Sequence, residues 1–167
     1  IVAFEVIRYE DLTFATHTDI KDLPQTVYFP DIHTTFIDSA TNNQVAASNS
    51  KATLIDTVTY ENLTVGLTYT VEGTLMVKET GKALTDVNGN VITVNKSFVA
   101  EYSSGTVDVA FIVDTRLIEG LTLVAFETLY YNDIVIKTHN DINDVDQTVY
   151  VPEIKTTLVD KATNDHV

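Results

Sequence analysis

The sequence predicts an all-β fold built from antiparallel strands, and three observations support that prediction. Apolar and β-branched residues alternate with polar ones over short runs such as Thr106–Val113, which is the two-residue period of a half-buried strand. Turn-forming residues separate these runs, and Asn88-Gly89 is the clearest hairpin turn. No segment carries a sustained helical stripe of apolar residues. We therefore expect about seven short strands in one antiparallel β-sandwich of the immunoglobulin-like type.

The residue content justifies the individual strands. Residues 53–60, the predicted first strand, and residues 67–72 are rich in Thr, Val, Leu and Tyr, which favour an extended backbone. Pro30 and Pro152 suit the exit from a domain, because proline cannot donate a hydrogen bond within a central strand. Residues 31–35 and 153–157 are expected to be short connectors that already begin the next first strand. The remaining predicted strands are 106–113, 121–127, 133–137 and 147–151.

A long internal repeat organises the chain. Its first forty-five residues return as its last forty-five, at a constant offset of 122 positions and without insertion or deletion. A period of this length corresponds to a whole domain rather than to a solenoid unit. We therefore predict a tandem repeat in which residues 1–30 end one domain, residues 31–153 form a complete domain, and residues 154–167 begin the next.

The N-terminal part of the repeat is expected to need a partner. His17 and Gln25 occupy the positions that His139 and Gln147 hold in the second copy. Strands without neighbours would expose sheet edges. We therefore expect residues 1–30 to complete a domain with a preceding segment or with a neighbouring chain in a fibre.

Composition excludes several classes of function. The chain has 24 acidic and 10 basic residues, a formal net charge of −14, and no cysteine. Nucleic-acid binding is not expected, because it requires a basic surface. No stretch approaches the roughly twenty apolar residues of a membrane span. Disulfides cannot brace the fold, so an extracellular protein of this composition would need another brace.

The complete repeat contains three motifs. It contains Asp56-Thr-Val-Thr-Tyr60 near its start and Val124-Ala-Phe-Glu127 near its end, and His139 precedes Gln147 by eight residues. Together these motifs resemble the VaFE-repeat domains of Gram-positive surface proteins, whose Thr–Gln pairs form intramolecular ester bonds. The resemblance covers the whole of residues 31–153.

The resemblance implies a role for each motif residue. Thr57, on the first strand, would be the nucleophile, and Gln147, on the last strand, would supply the acyl carbon. His139 would be the base that takes the hydroxyl proton, and Glu127 would be the acid beside the glutamine amide.

A second acid is also implied, because the family uses one after a Gly-x-Leu-Met strand. Here that strand is Gly73-Thr-Leu-Met76, and Glu79 is the candidate, with Asp86 in reserve.

Elementary chemistry supports such a site. A threonine hydroxyl is a weak nucleophile and an amide a weak electrophile, so the reaction needs a base within hydrogen-bond reach and a carboxyl group kept protonated by burial. Folding supplies the proximity. Loss of ammonia makes the step single-turnover, so the chain is not expected to be an enzyme acting on a substrate, and no metal or cofactor is called for.

The resemblance implies a stalk or fibre domain of a wall-associated bacterial surface protein, with neighbouring repeats as its partners. Two other functions stay open. The repeat could be a ligand-binding adhesive module that depends on calcium, for which Asp86–Asn90 or Asp141–Asp146 would be the acidic loops. It could also be a plain spacer whose motif residues do not react. Lys51 would additionally allow an isopeptide bond to an asparagine as an alternative brace.

Overall fold

A computed structural model describes residues 1–166, and nearly all of its regular structure is β-strand. The strands are numbered β1 to β11 in chain order, and 3-10 turns occur at Leu23–Gln25 and Thr115–Leu117. The strands are β1 Glu5–Tyr9, β2 Leu12–His17, β3 Asp31–Asp38, β4 Ala52–Glu61, β5 Thr68–Val77, β6 Lys82–Ala83, β7 Thr93–Val99, β8 Gly105–Val113, β9 Thr122–Tyr131, β10 Ile134–His139 and β11 Thr148–Tyr150.

Strands β3 to β11 form two antiparallel sheets. The first sheet has the order β3-β4-β8. In the second, β5 and β9 pair at the centre, β7 and β6 lie on the outer edge of β5, and β10 and β11 share the outer edge of β9. This arrangement confirms the all-β antiparallel fold class.

Residues 31–35 begin the first strand, as expected, but they are not a connector. They belong to β3, an eight-residue strand that pairs with β4 along its whole length. Within β3 every second side chain is buried, beginning with Ile32 and continuing through Thr34, Phe36 and Asp38. The first strand of the sandwich is therefore β3, and the predicted first strand is the second. The strands β6 and β7 were also missing from the prediction.

The core lies between the inner faces of the two sheets. Phe36 of β3 and Phe111 of β8 make an edge-to-face contact at its centre, with ring centroids 6.0 Å apart. Gly73 of β5 faces this pair, and a β-carbon there would lie 2.7 Å from Phe111 Cζ and 2.8 Å from Val109 Cγ1. The absence of a side chain at Gly73 therefore lets the sheets approach closely at this level.

The last strand of the sandwich lies beside the first. The Phe36 N–H donates to the Asp146 carbonyl oxygen at 2.8 Å, and the Ala46 N–H donates to the Tyr150 carbonyl oxygen at 2.9 Å. Residues on either side of Gln147 are thus hydrogen-bonded to β3 and to the segment that follows it. The two ends of the sandwich meet at one edge.

Residues 1–30 form a separate two-stranded sheet, in which β1 pairs with β2. All the residues of both strands are exposed. The Asn62 side chain donates to the Phe29 carbonyl oxygen at 3.0 Å and links this segment to the sandwich. Thr34 follows Gln25 by nine residues in a connection that contains Pro30.

Residues 152–166, at the other end, contain no strand. None of the helices in the described part of the chain is long and apolar enough to cross a membrane.

Candidate cross-link site

Two strands of the second sheet position the acidic part of the site. Glu127 lies in β9, where it pairs with Gly73 of β5 on one side and with His139 of β10 on the other. Gln147 lies immediately before β11, and its carbonyl oxygen accepts a hydrogen bond from the Ala125 N–H at 3.0 Å. The short loop between β10 and β11 therefore brings Gln147 back beside β9.

Gln147 and Glu127 form a buried pair in the interior of the sandwich. Gln147 is 0% and Glu127 1% exposed, and Gln147 Nε2 donates to Glu127 Oε2 at 2.5 Å. The same nitrogen lies 3.4 Å from the His139 carbonyl oxygen. The amide oxygen, Gln147 Oε1, is buried and has no hydrogen-bond partner. The amide is thus held by its nitrogen, next to a carboxyl group and away from water.

The first sheet contributes Asp56 and Thr34 from its inner face. Asp56 of β4 is 0% exposed and Thr34 of β3 is 6% exposed. Both Asp56 oxygens, the Thr34 hydroxyl and Glu127 Oε1 are buried without a partner of hydrogen-bond geometry. Such groups are normally satisfied in a folded protein, so a cluster of them requires an explanation.

Burial and mutual repulsion determine the protonation of the two carboxyl groups. Desolvation raises the pKa of Glu127 well above its ordinary value, and the neighbouring Asp56 charge raises it further. Desolvation also raises the pKa of Asp56, while interactions with Glu127 and Thr34 oppose the rise. Two buried carboxyl groups this close do not both ionise at low cost, so the pair holds one proton at neutral pH.

His139 borders the pair without presenting its ring to Gln147 in any hydrogen bond of the described structure. Its Nε2 lies 3.0 Å from Asp144 Oδ2, and its Nδ1 is buried without a partner. The ring of His33, from β3, packs edge-on against it with centroids 6.2 Å apart. The contact with Gln147 comes from the His139 backbone. The role of His139 as the base stays a prediction.

The structure does not bring Thr57 to this cluster. Side chains alternate along β4, so the burial of Asp56 places Thr57 on the opposite face of the sheet. There its hydroxyl donates to Asp108 Oδ1 of β8 at 2.7 Å, in an exposed pair. This placement corrects the expectation that Thr57 faces Gln147.

Glu79 and Asp86 also lie outside the cluster. Glu79 is exposed and accepts hydrogen bonds from the Thr122 N–H, at 3.0 and 3.3 Å. Asp86 caps its own turn, because its Oδ1 accepts from the Asn88 and Asn90 N–H groups at 2.8 and 2.9 Å. The acid that the structure places beside Glu127 is Asp56. Within residues 1–166, no group of three or more His, Cys, Asp or Glu side chains is placed to hold a metal ion.

A signal for the missed residues was present in the sequence. In β4 the even-numbered positions are apolar except for Asp56, whereas the odd-numbered ones are mostly threonine. That parity points Asp56 inward and Thr57 outward. In β3 the same parity places Thr34 between the inward-facing Ile32 and Phe36. Treating residues 31–35 as a connector concealed this strand.

The fold and the site define a class: a β-sandwich domain with a glutamine amide, two carboxyl groups and a threonine buried between its two sheets. Residues 30–151 match the family described as the T-Q ester bond containing domain. The chain belongs to that family. No curated protein matches the sequence.

Solved structures share the fold. A bacterial adhesin from Mobiluncus mulieris, which contains intramolecular disulfide, isopeptide and ester bond cross-links, superposes with a TM-score of 0.60 at 15% identity. A second crystal form of that adhesin gives 0.60 at 14% identity. Each match covers 75% of this chain and 58% of the adhesin chain. At this identity the comparison establishes the shared fold.

Proposed function

We propose that residues 31–151 form a self-cross-linking domain of a bacterial surface adhesin, in which an ester bond joins Thr34 Oγ1 to Gln147 Cδ. The observation that carries this proposal is the buried hydrogen bond from Gln147 to Glu127, adjoining the unpartnered Asp56 and Thr34. The family match supports an ester of this type. Thr34 replaces Thr57 as the nucleophile because Thr34 is the threonine on the inner face of β3.

The reaction exchanges an amide for an ester. The Thr34 oxygen attacks the side-chain carbonyl carbon of Gln147, a C–O bond forms, and the C–N bond to Nε2 breaks. The Thr34 hydroxyl gives up one proton, and the leaving NH₂ group takes up one proton and departs as ammonia. Ammonia escapes to solvent, so the reverse reaction lacks its nucleophile and the bond persists.

The carboxyl pair can carry out both proton transfers. Ionised Asp56 takes the proton from the Thr34 hydroxyl, because the two side chains are buried diagonal neighbours on the inner face of β3 and β4. Glu127 Oε2 already accepts a hydrogen bond from the Gln147 nitrogen. Once attack has made the amide carbon tetrahedral, the nitrogen becomes basic and protonated Glu127 delivers its proton to it. After the reaction Asp56 holds a proton and Glu127 is ionised, so the number of protons on the carboxyl pair is unchanged.

His139 remains the other candidate for the base. Its buried Nδ1 has no partner, and Asp144 fixes the orientation of the ring through Nε2. Asp56 is preferred because it and Thr34 are diagonal neighbours on the same inner face of the paired strands β3 and β4, whereas the contact of His139 with the reacting pair is through its carbonyl oxygen. In this scheme His139 orients the amide.

An ester at this position would brace the domain. β3 and the Gln147 segment are the two ends of the sandwich, and the hydrogen bonds between them each contribute a net ~0.5–1.5 kcal/mol. A covalent link in parallel with those hydrogen bonds would carry tension applied to the chain ends. This brace, in a chain without cysteine, suits a stalk-like repeat exposed at a bacterial surface.

The intact mass of the purified chain, measured under denaturing conditions, tests the proposal. We expect a mass one ammonia below the value calculated from the sequence, and tandem fragmentation should connect residue 34 to residue 147. The Thr34→Val variant should have the full calculated mass. Thr57→Val is the matched control, because it removes the same hydroxyl from the other face of the neighbouring strand, and it should still lose ammonia.

Two outcomes would contradict the proposal. A parent chain with the full calculated mass would mean that no ester forms. A Thr57→Val chain with the full mass, beside a Thr34→Val chain that still loses ammonia, would return the nucleophile to Thr57.

A further inference from the structure

Residues 1–30 hold a second copy of the acyl half of the site. We propose that this segment is a docking surface for a second copy of residues 31–122, and that docking closes a second ester bond, at Gln25. The inference rests on the proposed function, since it requires the same chemistry. Residues 1–30 lie outside the matched domain apart from its first position.

The backbone of residues 1–30 reproduces that of the segment 122 positions later. β1 and β2 pair from Glu5↔His17 to Tyr9↔Leu12, and β9 and β10 pair in the same register, with the register shift at the equivalent position. The Ala3 N–H donates to the Gln25 carbonyl oxygen at 3.0 Å, as the Ala125 N–H does to that of Gln147. The segment thus adopts its final backbone arrangement without the rest of a sandwich.

The side chains of the half-site are also in place. Gln25 Nε2 donates to Glu5 Oε2, as Gln147 does to Glu127. His17 Nε2 lies 2.7 Å from Asp22 Oδ2, which repeats the His139 pair. Gln25 Oε1 is buried and has no hydrogen-bond partner. The reactive amide is therefore already held by its carboxylate before any nucleophile is present.

The carboxyl group of the half-site is exposed to solvent. The Glu5 side chain is 60% exposed, whereas Glu127 is 1% exposed. Glu5 also has no counterpart of Asp56 in residues 1–30, because the equivalent acid would come from a strand like β4. The segment therefore holds the acyl group but neither the base nor the dry surroundings that the reaction requires.

Exposed apolar residues indicate what covers the segment. Ile1, Ile7 and Val27 are 78%, 64% and 61% exposed, and Phe29 is 62% exposed. Their equivalents in the second copy are Leu123, Leu129, Val149 and Val151. The first three of these are 0% exposed and Val151 is 5% exposed. In that copy, β5 pairs with β9 in the same sheet, and β3 of the other sheet contacts β9, β10 and β11; both β3 and β5 lie within residues 31–122.

The fitting partner is therefore a sheet pair with the sequence of residues 31–122. It would bury the apolar face of residues 1–30 and supply the equivalents of Thr34 and Asp56. The bond would form between the Oγ1 of the partner's equivalent of Thr34 and Gln25 Cδ, with release of one ammonia and no oxidant or cofactor. The acid of the docked site would be Glu5.

The experiment supplies that partner by placing a second copy of residues 31–122 directly before Ile1 of the full chain. The junction keeps the natural register, because Ile1 is equivalent to Leu123. We expect the intact mass to fall by two ammonia under denaturing conditions. Gln25→Ala and Gln147→Ala should each restore one ammonia, and the double variant should have the full calculated mass.

The outcomes separate this inference from the proposed function. Loss of one ammonia, unchanged by Gln25→Ala, would overturn the docking inference and leave the Gln147 site intact. Loss of none would overturn both. Amide hydrogen exchange on the extended Gln25→Ala chain gives an independent measure: docking should protect the amides of Ile7 and Val27 relative to the original chain. Unprotected amides there would also overturn the inference.

Discussion

Replacing Thr34 with valine removes the proposed nucleophile and leaves a side chain of similar size. The Thr34 hydroxyl is buried and has no hydrogen-bond partner, so its removal should cost little by itself. The stability that is lost should be that of the cross-link. By analogy with disulfides, opening a loop of roughly a hundred residues returns about 4.7 kcal/mol of conformational free energy to the unfolded chain at 25 °C.

That free energy converts into a melting temperature. Unfolding entropy is about 2.1 cal/mol/K per residue, which for a 122-residue repeat amounts to about 0.26 kcal/mol/K. The Thr34→Val variant should therefore melt roughly 18 °C below the parent. Thr57→Val, measured in the same way, should remain within a few degrees of the parent, because it removes one exposed hydrogen bond.

The assay is differential scanning calorimetry on the three proteins, each with its intact mass determined from the same preparation. The intact mass shows whether the ester has formed, and the melting temperature shows how much the ester contributes to stability. A parent that has lost ammonia but melts at the same temperature as Thr34→Val would refute the loop-closure reasoning. A Thr34→Val protein that has itself lost ammonia would refute the choice of nucleophile.

Three further predictions concern the surroundings of the reacting pair. Asp56→Asn should abolish the loss of ammonia, whereas His139→Ala should slow it without abolishing it, as a time course of intact mass after folding will show; the reverse order would make the histidine the base. Gly73→Ala should destabilise the domain by about 1–3 kcal/mol through overpacking, because its β-carbon would collide with Phe111, and urea unfolding measures this directly. In Thr34→Val, the free energy of unfolding should fall as pH rises above 4.5, the ordinary pKa of a glutamate. Above that pH the unfolded chain releases the Glu127 proton, whereas the folded protein keeps it because burial raises the pKa of Glu127. Urea melts between about pH 5 and pH 8 test this, and Glu127→Gln in the same background should flatten the slope.

Much of the fold was predictable because strand signals are local. Alternation and turn residues located six of the strands, since each signal lies within a few neighbouring positions. Glu127 and Gln147 were implied by the family resemblance, and the structure brings them into contact. Their proximity depends on the hairpin of β9 and β10 and on the short loop before β11, which join residues close in sequence.

The proposed nucleophile and second acid, Thr34 and Asp56, were harder to predict, because their positions depend on which face of a strand is buried. A shift of one residue moves a side chain to the other face of the sheet, and the choice between Asp56 and Thr57 is such a shift. The acid was sought at Glu79, near its predicted strand in sequence, whereas Asp56 reaches Glu127 from the opposite sheet. Contacts between sheets follow from packing, which no local pattern specifies.

The short connection from Gln25 to Thr34 has a consequence for length. If the esters at both residues were closed, a pull along the chain would bypass the residues between Thr34 and Gln147 and would extend only the nine-residue connection, about 30 Å at ~3.3–3.6 Å per residue. A repeat of 122 residues without the ester could instead unfold and extend to roughly 400 Å. An array of closed repeats would therefore be nearly inextensible, and each unreacted domain would appear in a force–extension trace as hidden length of several hundred ångströms.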